Sequence, residues 1–203
     1  MGARADVLAL YAFDLELRRA ARVTTSPQTA EIRLAWWADA VDTMAANEAP
    51  PAHPVAQALS AAALRRRLPP QDLHRVIEAR RQRLYGPPRS LVDAMSWADA
   101  THGLIASLAA RILAPKADPA PAALAGRAEG LGALLAEGAS VSGLREARDQ
   151  ALTAANQALV GWPAAGFPAA ALATLARTAG PGRGASPTGR RVRLIWAVAR
   201  GRI

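Results

Sequence analysis

The chain contains no cysteine. That excludes disulfides, thiolate zinc sites and a cysteine nucleophile, and it fits a reducing compartment. No apolar run is long enough to span a bilayer. The opening, Met1-Gly2-Ala3-Arg4-Ala5-Asp6, carries no hydrophobic leader region. The expectation is a cytoplasmic protein, or one lying peripherally on the inner membrane. Runs of Val, Ile, Thr and aromatic residues are scarce, so strand signals are nearly absent. Acidic residues are missing after Asp149, where Arg177, Arg183, Arg190, Arg191, Arg193, Arg200 and Arg202 follow. Those seven leave +2 of the formal +9 for residues 1–149. The body is near neutral and the C-terminal part is basic. There is no nucleic-acid-binding module, and aromatics are not interleaved with the basic residues as stacking platforms would require, so no nucleic-acid partner is expected. There is no Gly-x-Ser-x-Gly nucleophile motif. His53, His74 and His102 show no metal-ligand spacing.

What is present is alanine, the largest share of a chain that is 51% hydrophobic. Alanine at this frequency favours helix, and the fold class is read as all-α. At 203 residues the chain makes one domain with a tail. The pattern predicts helices over about 6–23, 27–46, 54–67, 70–84, 90–113, 121–138 and 141–160, with a shorter one over 167–178. Proline and glycine clusters separate them. Asp6 is placed as the cap of the first helix, Ser26-Pro27 starts the second, and Ser90 with Asp93 has capping-box spacing. Glycines 126, 130, 132 and 138 would either let helices pack closely or weaken them. The helical domain is taken as 1–178. Residues 179–203 form a basic linker and a short apolar segment, "VRLIWAVARGRI". That segment docks on the body, anchors on an anionic membrane, or is a disordered or frame-altered tail.

Four stretches, in order, resemble the squalene/phytoene synthase family, the head-to-head branch of isoprenoid synthases. "LALYAFDLELRRAAR" resembles the helix in which Tyr-Ala-Phe precedes an Asp-Asp-x-x-Asp cluster. "EIRLAWWADAV" resembles the Arg-Leu-x-x-Trp-Trp helix, and "HPVAQAL" the start of the next. "IEARRQRLYGPPRSLVDAMSWADATHGLIASLAARIL" resembles the segment from Gly-Met-x-x-Asp-Leu through the Ala-Gly-x-Val-Gly helix. The likeness spans roughly 6–160. It implies an isoprenoid-synthase-like helical bundle, here truncated, with a central cavity. In active members two acidic clusters hold Mg²⁺, which neutralises a prenyl diphosphate leaving group. On the family pattern Tyr11, Phe13, Trp37 and His102 would line the cavity.

The acidic positions are inverted. Aligned on Tyr11-Ala12-Phe13, the three aspartates fall on Arg18, Arg19 and Arg22, and the Asp of Gly-Met-x-x-Asp-Leu falls on Arg83. A guanidinium cannot ligate Mg²⁺. The second acidic motif has no counterpart, because Glu129 and Glu137 are eight apart and make no chelating pair. The resemblance therefore points to a divergent branch, which includes a mitochondrial assembly factor for respiratory complex I. It implies a non-catalytic scaffold or assembly factor, with an unknown client protein or membrane complex as partner and no cofactor. Two alternatives stand beside it. One is a prenyl diphosphate transferase with a relocated Mg²⁺ site. The other is a metal-free binder of polyprenyl phosphate or another apolar ligand. For the binder, Arg18, Arg19, Arg22, Arg80 and Arg83 form an anion pocket. Against that pocket, Arg18, Arg19 and Arg22 read as a solvated helix face with an Asp14–Arg18 ion pair at i,i+4. Asp39 and Asp42 are the only close Asp pair and read as a solvated face. Trp36, Trp37 and Trp97 are placed in the core, with a lipid-facing or prenyl-chain-facing role as the alternative for one of them, His102 as a satisfied core histidine, and His53 at a helix start before Pro54.

Overall fold

The structure, a computed structural model, describes residues 2–22 and 26–178, and beyond them Gly189, Leu194 and Ile203. The side chains of residues 21, 22, 177 and 178 lie outside that description. The chain is all-α, and no strand occurs among the described residues. The residues group into two compact units, Met1–Gly86 and Pro87–Ile203.

The first unit holds α1 (Ala3–Arg22), α2 (Pro27–Ala45), α3 (Pro54–Arg66) and α4 (Pro70–Gln82), with a 3₁₀ turn over Arg83–Tyr85. Proline supplies the first residue of α2, α3 and α4, where its missing N–H costs nothing and its fixed φ suits a helix start. Helix α1 packs on all three others. It buries Leu10, Phe13 and Leu17 at i, i+3 and i+7. Each such side chain removed from water contributes about 1.5–3 kcal/mol.

Asp6 is not a cap. Helix α1 starts at Ala3, which puts Asp6 in its first turn, fully buried. Arg65 Nη2 donates to it at 2.6 Å and Arg66 Nε at 2.7 Å. Both arginines sit in the last turn of α3, where cations also suit the helix dipole. Burial pushes the Asp6 carboxyl up, but hydrogen bonds and charge from Arg65 and Arg66 outweigh it, and the net shift is downward.

The second unit holds α5 (Leu91–Ala98), a π-helical turn over Asp99–Gly103, α6 (Leu104–Leu113), α7 (Ala120–Ala136) and α8 (Leu144–Ala158). The predicted 90–113 helix is thus interrupted by a π segment. The capping box is formed. Ser90 Oγ accepts from Asp93 N at 3.1 Å, and the Asp93 carboxylate accepts from Ser90 N at 3.1 Å. Helix α7 is central, packing on α5, the π turn, α6 and α8. It gets there because it is glycine-bearing. A Cβ on Gly126 would lie 2.4 Å from the His102 carbonyl oxygen, and one on Gly130 would lie 2.8 Å from Ala98 Cβ. Close approach is therefore what these glycines provide. The short helix expected over 167–178 is instead two 3₁₀ segments, Ala164–Ala169 and Ala171–Thr178. Pro168 inside the first cannot donate to a continuing α-ladder.

Most of the C-terminal stretch, and with it the docked, membrane-bound and disordered readings, lies outside the described residues. Of the described ones, Leu194 packs on the core of the second unit. Ile203 is buried there, exchanging two hydrogen bonds with the Asn156 side chain.

Candidate functional site

The segment "YAFDLELRRAAR" lies on α1, and one acid in it turns inward. Asp14 is 3% exposed and follows Leu10 by four residues on the buried stripe. Both of its oxygens are occupied. Arg18 Nη2 sits 2.5 Å from Oδ2, one turn further along α1. Arg80 Nη2, from α4, donates to Oδ1 at 3.0 Å. Arg80 is itself buried. One carboxylate thus bridges two guanidiniums and ties α1 to α4, with charge-assisted bonds in a water-poor setting.

The other arginines of the expected anion pocket go elsewhere. Arg19 points outward and pairs with Glu16 at 3.2 Å. Arg83 Nη1 donates to the Gly86 carbonyl at 2.9 Å. Arg22 belongs to α1, but its side chain is outside the described set. Arg18 and Arg80 are therefore the pair that the fold brings together, through Asp14.

Beside this node lies an aromatic cluster. Phe13 is fully buried against the edge of Trp37, with ring centroids 5.4 Å apart. Trp37 meets Trp36 at 4.9 Å and His53 at 5.3 Å. Trp37 is core, as the sequence predicts, but Trp36 is not. It is 38% exposed and stands at the mouth of a cleft of about 270 Å³. Arg19, Arg33, Trp36, Trp37 and His53 form most of its wall. His53 is the residue before Pro54 at the start of α3, in extended conformation, and makes no side-chain cap bond. Tyr11 is half-buried on α1. His102, in the second unit, is 3% exposed, with Nδ1 3.0 Å from Thr101 Oγ1 and its ring beside Trp97. Asp39 and Asp42 are exposed, and Asp42 meets His74 Nε2 at 2.8 Å.

The same pattern, a helix-borne carboxylate held by arginine, recurs in places that sequence reasoning missed. Arg81 Nη2 donates to Glu31 at 2.9 Å, and the Tyr85 hydroxyl donates to Glu31 at 2.6 Å. The Tyr85 and Arg81 bonds hold the Glu31 carboxyl below its ordinary value, and the Glu31 bond raises the Tyr85 phenol. In the second unit Arg127 grips Asp99 bidentately, at 2.6 and 2.8 Å. A signal existed for the buried members. Asp6 and Asp14 fall on the same stripe as Leu10, Phe13 and Leu17, so their burial could be read from periodicity. Their partners on other helices, 59 to 66 residues away in sequence, could not.

These observations define an all-helical protein whose two buried carboxylates among the described residues, Asp6 and Asp14, are held by guanidiniums. Residues 1–137 match the family described as squalene/phytoene synthase. The match covers more than half of the chain, which belongs to that family. It ends at Glu137, the residue closing α7. No curated protein matches the chain.

The family's magnesium needs oxygen ligands. Positions 18, 19, 22 and 83 carry guanidiniums, which have no lone pair to offer. Asp14, one turn before Arg18, has both oxygens engaged. Among the described residues no three His, Asp or Glu side chains gather where they could hold an ion. The residues present do not fit Mg²⁺.

Proposed function

We propose that this protein is a non-catalytic member of the squalene/phytoene synthase family that works as a scaffold or assembly factor. A respiratory membrane complex is the first candidate client. The observation that carries the reading is the Arg18–Asp14–Arg80 bridge. In a magnesium-dependent prenyl transfer, carboxylates must be free to hold a cation that neutralises leaving diphosphate. Here the buried carboxylate is neutralised by the protein itself, and arginine stands at the positions where the family motif places aspartate. The bridge serves the fold by fixing α1 on α4. No helix among the described residues is long and apolar enough to cross a membrane, so a membrane client would be met from its surface.

The test is an assay for diphosphate release and condensed product from farnesyl or geranylgeranyl diphosphate with Mg²⁺. The expected outcome is no turnover above buffer. Turnover that Arg18→Ala leaves unchanged would overturn the reading and move attention to a relocated metal site.

A further inference from the structure

The first unit carries a surface feature that the scaffold reading does not use. Near the C-terminal end of α1 and the N-terminal half of α2, each helix exposes a large apolar residue next to an arginine. On α1 these are Leu15, 55% exposed, and Arg19 four residues on. On α2 they are Ile32, 69% exposed, Arg33, and Trp36 four residues after Ile32. Residues four apart share a helix face, and α1 and α2 pack on each other. Arg19, Arg33 and Trp36 all border the same cleft of about 270 Å³.

The cleft is lined by two arginines, Arg19 and Arg33, and one acid, Glu16, which leaves an excess of positive charge at its wall. Arg33 enters no ion pair among the described residues. Arg19 is paired only with Glu16, and the arginine side chain is 63% exposed. An exposed pair of this kind contributes little and exchanges readily for another anion. The other nearby acid, Glu31, is turned to Arg81 and Tyr85. Asp39, three residues beyond Trp36 on α2, is exposed and does not line the cleft.

We infer that this end of the α1–α2 pair docks on an anionic phospholipid surface. Arg19 and Arg33 take lipid phosphates at the cleft mouth, and Leu15, Ile32 and Trp36 enter the headgroup boundary. The chemistry is that of interfacial anchoring. Guanidiniums are drawn to anionic headgroups, an indole sits at the polar–apolar boundary, and aliphatic side chains leave water. A soluble phosphate ester would use the arginines but leave Ile32 and Leu15 in water. Its residues all belong to the first unit, and the inference holds whether or not the protein is a scaffold.

The experiment is flotation of the full chain with vesicles of phosphatidylcholine alone, or of phosphatidylcholine mixed with phosphatidylglycerol. Wild type is expected to float with the mixed vesicles and not with the neutral ones, and to release as salt rises. Arg19→Gln with Arg33→Gln should lower partitioning by at least about tenfold. Ile32→Ser should lower it by about fivefold. The charge-matched control, Arg200→Gln with Arg202→Gln, should lose less than the cleft variant. Arg33→Gln alone, at an exposed position, guards against a folding defect. The inference is overturned if wild type ignores the mixed vesicles. It is overturned if the cleft variants float like wild type, which would turn this face toward a protein partner. It is also overturned if the control loses as much as the cleft variant, which would reduce binding to net charge.

Discussion

The two units are held together by different physics. In the first, helices are joined by charge that crosses from one to another. Asp6 ties α1 to α3, and Asp14 ties α1 to α4. In the second, helices are joined by proximity. Gly126 and Gly130 bring α7 onto the π turn and α5, and the core around them is largely alanine and leucine. The ion pair between α7 and the π turn, Arg127–Asp99, is well aligned but open to solvent, at 31% and 42% side-chain exposure respectively. The comparison teaches where each unit is vulnerable. The first should fail when a charge is left without its counterpart, and the second when volume is added.

The largest effect is expected at Asp14. Asp14→Ala removes the carboxylate that the buried Arg80 guanidinium shares with Arg18, and should destabilise the first unit by about 3–5 kcal/mol. Urea unfolding followed by tryptophan fluorescence reads this, since Trp36 and Trp37 lie in that unit. Next is Gly126→Ala. Its added methyl meets the His102 carbonyl, part of a backbone that cannot swing aside. A loss of about 2–3 kcal/mol is expected, measured by the same unfolding curve. If it cost no more than an ordinary surface change, the close-packing account of α7 would be wrong.

Acidification separates the units further. The folded Asp6 carboxyl lies below its ordinary value, so its contribution is complete above the unfolded value of about 3.9. It is lost as pH falls through the lower folded value. Melting temperature should therefore drop below about pH 4, and the drop should be shallower in Asp6→Asn. The smallest effect is expected at Arg127→Gln, at about 1 kcal/mol or less. A larger loss would mean that the second unit also leans on charge.

Much of the helical order was legible in the sequence because proline marks it. Pro27, Pro54 and Pro70 each open a helix where the apolar period begins, and Ser90 with Asp93 announces α5. What was not legible depends on tertiary context. Nothing local signals that the helix beginning at Ser90 widens to a π turn at Asp99–Gly103. That turn reflects how α7 packs against it. Asp6 looked like a cap because an acid before an apolar run usually is one, but α3 supplies a stronger reason for it to be buried. At the site, the Asp14–Arg18 pair followed from i,i+4 spacing. The burial of Arg80 did not, because a guanidinium is buried only where another helix provides its counter-charge. Trp36 was assigned to the core with Trp37, yet adjacent residues on a helix point about 100° apart, and on α2 Trp36 is the one turned outward.

Under the proposed function, Arg18 and Arg80 occupy the Asp14 carboxylate and the protein takes up no Mg²⁺–diphosphate pair. The most direct measurement is thermal stability of the protein with farnesyl diphosphate, with and without Mg²⁺. A ligand that binds the native state stabilises it by about 2.7 kcal/mol at 100 times its Kd. The account predicts no stabilisation that requires Mg²⁺. A shift that appears only when metal and diphosphate are present together would contradict it.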